Sequence, residues 1–241
     1  TFDEYGSNSS SIPAGTLIYS STSGLIIIEY TLFTMHSTYS DMMNTWGGWT
    51  AISGSDMTVV KNIFIKGNNL SEPTGLSLRS STITNNVFFN IDYPINCRYP
   101  SGSGGESTVS NNIIINADEK AISITGSPTI TYNTIVSSEL AISIPNETTA
   151  FSYSPVINYN NIYDNTKNVD VSVTRTEQPD PINGENNYWG TTNTSEIAAL
   201  ITDYNDDFNL AELDIDPYLS NLNTDAPFSP PSGVSQTYSS G

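Results

Sequence analysis

Residues 120–138, KAISITGSPTITYNTIVSS, decide the fold of this chain. Ile122 and Ile124 alternate with Ser123 and Thr125, so one strand face is apolar and the other hydroxylic. Gly126, Ser127 and Pro128 supply a bend. Thr129–Tyr132 read as a second short strand with Ile130 inward; Asn133 turns the chain, and Ile135 faces the core from a third strand. β-Branched residues dominate these pieces, as a half-buried pleated surface favours. Three short strands cannot bury their inward side chains alone, so the unit must stack on copies of itself.

Such copies flank it on both sides. The pattern around Asn133 recurs as TVVKNI, TITNNV, TVSNNI, TITYNT and VINYNN, placing an Asn at 62, 86, 112, 133 and 160. A looser copy, INGENNY, puts Asn186 in the same role, for spacings of 24, 26, 21, 27 and 26 residues. The expected architecture is all-β: a right-handed parallel β-helix of about seven turns over residues 16–190. At ~4.8 Å per turn the rod is on the order of 35 Å long. Asn tolerates left-handed backbone angles, and its amide can bond the equivalent Asn one turn away. Asn62, Asn86, Asn112, Asn133, Asn160 and Asn186 are therefore read as a structural ladder, not as catalysts.

The flanks divide the rest. Residues 1–15 read as a tail with no amphipathic cap, so the first turn is expected to be covered by another part of the chain or docked on another chain or domain. In 191–220, Asn193 can cap a helix reaching Asp203, with Glu196 three residues on and Ile197, Leu200 and Ile201 on one face. That helix and the acidic loop after it are expected to cover the far end of the rod. Residues 221–241 are rich in Pro, Ser and Thr and read as an extended tail or linker.

Composition narrows the function classes. Seven Lys and Arg stand against 25 Asp and Glu, a formal charge of −18, which disfavours nucleic acid and anionic membranes as partners. No apolar run is long enough for membrane insertion. About a quarter of the residues are Ser or Thr, a surface suited to the outside of a cell. The start at Thr1 reads as processing. Cys97 is the single cysteine; it excludes an intrachain disulfide and reads as a buried small hydrophobe.

The run NNYWGTTNTSEIAALITDYNDDFNLAELDIDPYL, residues 186–219, resembles the end of many prokaryotic right-handed parallel β-helix repeat proteins of the pectate-lyase-like superfamily. They share an aromatic-Trp-Gly turn, a short helix, an Asp/Asn-rich loop and an acidic strand ending in Pro. The resemblance implies the fold. It implies little about chemistry, because members range from polysaccharide lyases to surface proteins. Many have Gly where this chain has Leu210-Ala211-Glu212.

Three groups of residues are candidates for chemistry. Arg79 and Arg98 fall on equivalent strands of adjacent turns, with Asp92, Asp118 and Glu119 nearby in sequence. Pectate-lyase-like enzymes resemble this layout, with Arg as base and carboxylate-bound calcium acidifying a uronate; a cross-turn salt-bridge network is the structural alternative. Tyr39, Trp46 and Trp49 lie in an aromatic-rich insertion, 34–50, that could stack on sugar rings together with Arg79 and Arg98, or simply pack on the rod. Asp203, Asn205, Asp207 and Asp214 follow the spacing of a calcium loop, so Ca2+ is the one cofactor considered, although Phe208 stands where the sharp turn needs Gly. Sequons occur at Asn8, Asn69, Asn146 and Asn193. Lacking a convincing catalytic set, the chain is expected to be an extracellular structural or adhesive protein of a prokaryotic cell surface. It is expected to associate with itself head to tail or with adjacent surface domains. The alternative is a uronate lyase or glycan binder acting on polysaccharide.

Overall fold

A computed structural model describes residues 16–19, 26–35, 50–66, 72–98, 106–146 and 154–228. It is a right-handed parallel β-helix of three sheets. The unit read at 120–138 is one turn of it, with strands Lys120–Ile124, Thr129–Thr131 and Thr134–Val136 assigned to the first, second and third sheets. The first and second sheets each contain eight strands and the third contains six. In all three sheets, every strand pairs in parallel with its counterparts one turn away.

Register keeps like residues in columns. In the first sheet Ile52, Leu76, Ile95, Ile122, Ile142, Val169 and Ile201 align inward. The third sheet stacks Phe33, Phe64, Phe88, Ile114, Ile135 and Ile162 in the same way. Phe33, Phe64 and Phe88 lie ring on ring, centroids 4.7 Å apart at each step and planes within 7°. All of these but Phe33 and Ile201 are fully buried, so one continuous apolar core runs the length of the rod.

Corners are where the sequence reading needs correcting. A residue with left-handed φ precedes the ladder position in every turn: Tyr30, Lys61, Asn85, Asn111, Tyr132, Tyr159 and Asn186, at φ 53–61°. The ladder Asn itself follows that residue and is not left-handed. This displaces the last rung by one: Asn187, fully buried, is the ladder residue, and Asn186 is the left-handed residue before it. Only the second Asn of the pair reaches the position where its Oδ1 accepts from Asn160.

Residues 191–220 do more than cover an end. The helix runs Thr194–Ala199 and is capped as expected, with Ser195 N donating to Asn193 Oδ1 at 3.0 Å and Asn193 Nδ2 donating to Glu196 Oε1 at 3.1 Å. It stops short of Asp203 because Leu200 O accepts from the main-chain N–H groups of Asn168 and Val169, drawing Ile201–Thr202 into the first sheet. Leu213–Asp214 likewise joins the second sheet. The segment thus adds two strands of an eighth turn, while Ile197 of the helix packs into the core. The aromatic-Trp-Gly turn is tight: Trp189 is buried, and at Gly190 (φ 87°) a Cβ would meet Tyr163 Cβ at 3.1 Å.

The start of the expected tail is also docked. Asn223 N donates to Asn161 Oδ1 (2.7 Å), Asn161 Nδ2 donates back to Asn223 O (3.0 Å), and Thr134 Oγ1 donates to Pro227 O (2.8 Å). Residues 221–228 therefore cross the outer side of the third sheet from the Asn161 rung to the Thr134 rung, and Ala226 of this segment is buried. Residues 1–15 and 229–241 lie outside the described residues.

Candidate functional site

The ladder forms from a repeated local demand. Each corner directs main-chain N–H groups into the rod, where nothing but another buried polar group can accept them. In Asn133 the answer is complete: Oδ1 accepts from Asn112 N and Nδ2 at 3.0 and 2.9 Å, and Nδ2 donates to Val109 O, Thr131 O and Asn160 Oδ1 at 3.0–3.1 Å. The same pattern links Asn62, Asn86, Asn112, Asn160 and Asn187, all at most 1% exposed. These residues are sealed from any substrate and serve the fold. A shorter series at another corner was not foreseen: Met57 N donates to Ser81 Oγ and Ser81 N to Ser107 Oγ. Ser is so common in this chain that its recurrence carries no signal in the sequence.

Arg79 and Arg98 sit side by side, because Leu78 aligns with Cys97 and Arg98 N donates to Leu78 O at 2.8 Å. The Arg98 guanidinium folds back along the rod, its Nη2 donating to Ser53 Oγ (3.1 Å) and Ser77 O (3.2 Å). The carboxylates are elsewhere. Asp92 precedes the strand Tyr93–Cys97 and Arg98 follows it, a separation of six residues or roughly 20 Å. Asp92 and Asp118 both hold the Lys66 ammonium, and the second Asp92 oxygen accepts from Glu72 N at 2.9 Å. Burial alone would lower the Lys66 pKa, but the hydrogen bonds to Asp92 and Asp118 outweigh it and hold the ammonium above its ordinary value. The Tyr93 phenol is pushed up by burial first and then by Glu119, Glu72 and Asp92. The structure therefore places Asp92 and Asp118 with Lys66, at the opposite end of the strand from Arg98.

The acidic loop is similarly self-contained. Asp203 is buried, with Oδ1 accepting from Asn205 N (2.9 Å) and Oδ2 from Leu213 N (3.0 Å). Asp207 Oδ1 accepts from Asn209 N and Nδ2, and Asp214 Oδ1 from Asp216 N. Each carboxylate of the expected calcium set thus closes its own turn. Among the described residues no three His, Cys, Asp or Glu side chains form a group that could hold a metal ion. Cys97 is buried, and burial pushes its thiol up to about 12, which removes it as a nucleophile at neutral pH. Tyr39, Trp46, Trp49, Asn8 and Asn69 lie outside the described residues. Asn146 is exposed, whereas the Asn193 amide is engaged at the helix start.

Among the described residues, the two ends of the rod carry strand edges without a pairing partner. Thr16–Tyr19, Ile26–Glu29 and Leu32–Met35 are the terminal strands of the three sheets, and no described strand pairs with their outer edges. Ile27, Tyr30 and Leu32 in this first turn are 56%, 70% and 60% exposed. Beside the last turn, Phe208 is 76% exposed.

Set against protein-family models, curated proteins and solved structures, the chain finds no match. No helix among the described residues is long and apolar enough to cross a membrane.

Proposed function

We propose that this chain is a structural or adhesive module of a prokaryotic cell surface, related to the parallel β-helix repeat proteins it resembles. It works outside the cell by stacking end to end into filaments or a layer. The observation that carries this reading is the first turn, where three strand edges that pair with no other described strand coincide with exposed Ile27, Tyr30 and Leu32. Such an edge is a template for further strands. The other end carries different groups, the edges of Ile201–Thr202 and Leu213–Asp214 with Phe208 beside them. Contact between unlike ends is heterologous, and heterologous contacts propagate unless rotation closes them. The lyase reading draws no support from Arg98, which is turned onto Ser53 and Ser77.

Negative-stain electron microscopy with light scattering tests the proposal. Rods joined end to end are expected, and Ile27→Lys or Phe208→Lys should return the population to single rods. A monodisperse 26.1 kDa species at all accessible concentrations would refute end-to-end association.

A further inference from the structure

The outer face of the second sheet is a two-dimensional array of hydroxyl groups. Its strands Met57–Val60, Thr82–Thr84, Thr108–Ser110, Thr129–Thr131 and Val156–Asn158 turn Val59, Ile83, Val109, Ile130 and Ile157 into the core. Alternation sends the residues on either side of these outward. Register aligns Thr58, Thr82, Thr108 and Thr129 in one outward column. The parallel column holds Thr84, Ser110 and Thr131. Rungs repeat at ~4.8 Å, and the columns stand roughly 6.6 Å apart, twice the rise of a parallel strand. Val60, Val156 and Asn158 complete the face, so it carries no charge in a chain of net charge −18. The other two faces differ. Asn96 and Asp170 interrupt the hydroxyls of the first sheet, and Ile63 and Ile65 make the third apolar. Thr84 Oγ1 accepts from Ser110 Oγ at 3.2 Å and from Asn85 Nδ2 at 3.0 Å. The hydroxyls of Thr58, Thr82, Thr108, Thr129 and Thr131 make no hydrogen bond with the described residues, so they are offered to whatever meets the face.

We infer that this face binds the surface of ice. A small molecule needs a concave site, whereas a flat repeat is matched by another repeating surface. Each Thr presents a hydroxyl that can join a water lattice and a methyl around which first-shell water is already restricted. Branching at Cβ leaves few χ1 choices, so the array is fixed before contact and little order is lost on binding. Each hydroxyl only exchanges one water partner for another and gains little by itself. Binding therefore needs many of them held in one plane, which the two columns supply. No aromatic ring stands in either column for a crystalline polysaccharide to stack on, and no ammonium or carboxylate keeps a hydration shell of its own there. The array lies on the side of the rod and includes none of the residues named at its ends. Its test is thus separate from that of end-to-end association.

Slow growth of an ice front through a solution of the full chain tests this, with protein in the ice and in the remaining liquid measured by absorbance. The protein is expected to pass into the ice and to hold the freezing point below the melting point. Thr82 and Thr129 are exposed, so Thr82→Lys with Thr129→Lys should cut the uptake several-fold at unchanged Tm. Ser123→Lys, on the first sheet, should leave uptake as it was. If the double variant fails to fold, Thr82→Lys alone decides by the same reading. Exclusion of the unaltered protein from ice would overturn the inference. So would uptake that Thr82→Lys leaves intact, or retention on insoluble cellulose by a protein that ice excludes.

Discussion

Asn133 shows how much one side chain can carry when it is repeated. Its amide serves two main-chain carbonyls and two neighbouring amides, so Asn133→Ala leaves the Asn112 N–H groups without an acceptor. A loss of about 3 kcal/mol is expected, on the order of one or two buried unsatisfied groups, measurable by urea unfolding. Asn133→Asp should cost more, because it keeps the acceptor but replaces the donor with a buried charge. Cys97 makes a pH prediction. Its folded-state pKa is raised from 9.0 to about 12, so the native state holds a proton that the unfolded chain loses. Its contribution to stability is therefore intact below pH 9 and lost as pH rises toward 12, at up to about 1.4 kcal/mol per pH unit. Cys97→Ala should flatten that alkaline slope; an unchanged slope would show the thiol is not its source. The ladder was legible because five Asn recur at near-constant spacing. The sixth was misplaced by one because the left-handed position before it accepts Lys, Tyr and Asn alike and so leaves no mark in the sequence.

Among the elements, those that repeat were legible and those that do not were less so. Strand positions followed from period-two alternation, as in Lys120–Ile124, where Ile122 and Ile124 are buried and Ser123 is not. The helix was legible at its start, where the cap is local, but not at its end. That end is set by main-chain bonds to Asn168 and Val169, some thirty residues away in the sequence. The same distance problem hid the partner of Arg98, which finds Ser53 two turns back, 45 residues earlier. The acidic loop has the spacing of a calcium loop, and its Asp203, Asp207 and Asp214 carboxylates accept from the main-chain N–H groups of Asn205, Leu213, Asn209 and Asp216. Adding millimolar calcium should leave the Tm unchanged, while Asp203→Ala should cost about 1–3 kcal/mol by freeing the buried Leu213 N–H. A calcium-dependent rise in Tm that Asp203→Ala abolishes would reinstate the metal site.

At the scale of the molecule, charge and open ends oppose each other. With −18 on each copy, rods repel over the Debye length, about 8 Å at physiological ionic strength and longer in dilute buffer. End-to-end association should therefore strengthen as salt rises from 10 to about 500 mM, and again as pH falls toward the pI of about 4.1. Sedimentation at several salt concentrations measures this, and association that weakens with salt would mean that the ends attract through charge instead of apolar contact.

The rungs of the Asn ladder are separated by 24, 26, 21, 27 and 27 residues, yet every amide meets its neighbour. Chain length between rungs is thus absorbed at the corners and never reaches the core. Excising residues 113–133 would splice Asn112 onto Thr134 and seat Asn160 directly above Asn112. The shortened protein should still unfold in one cooperative step. Such a chain works as a modular gauge: whole steps can be cut out or copied in without redesigning the ones that stay, so its reach is free to be tuned separately from its stability.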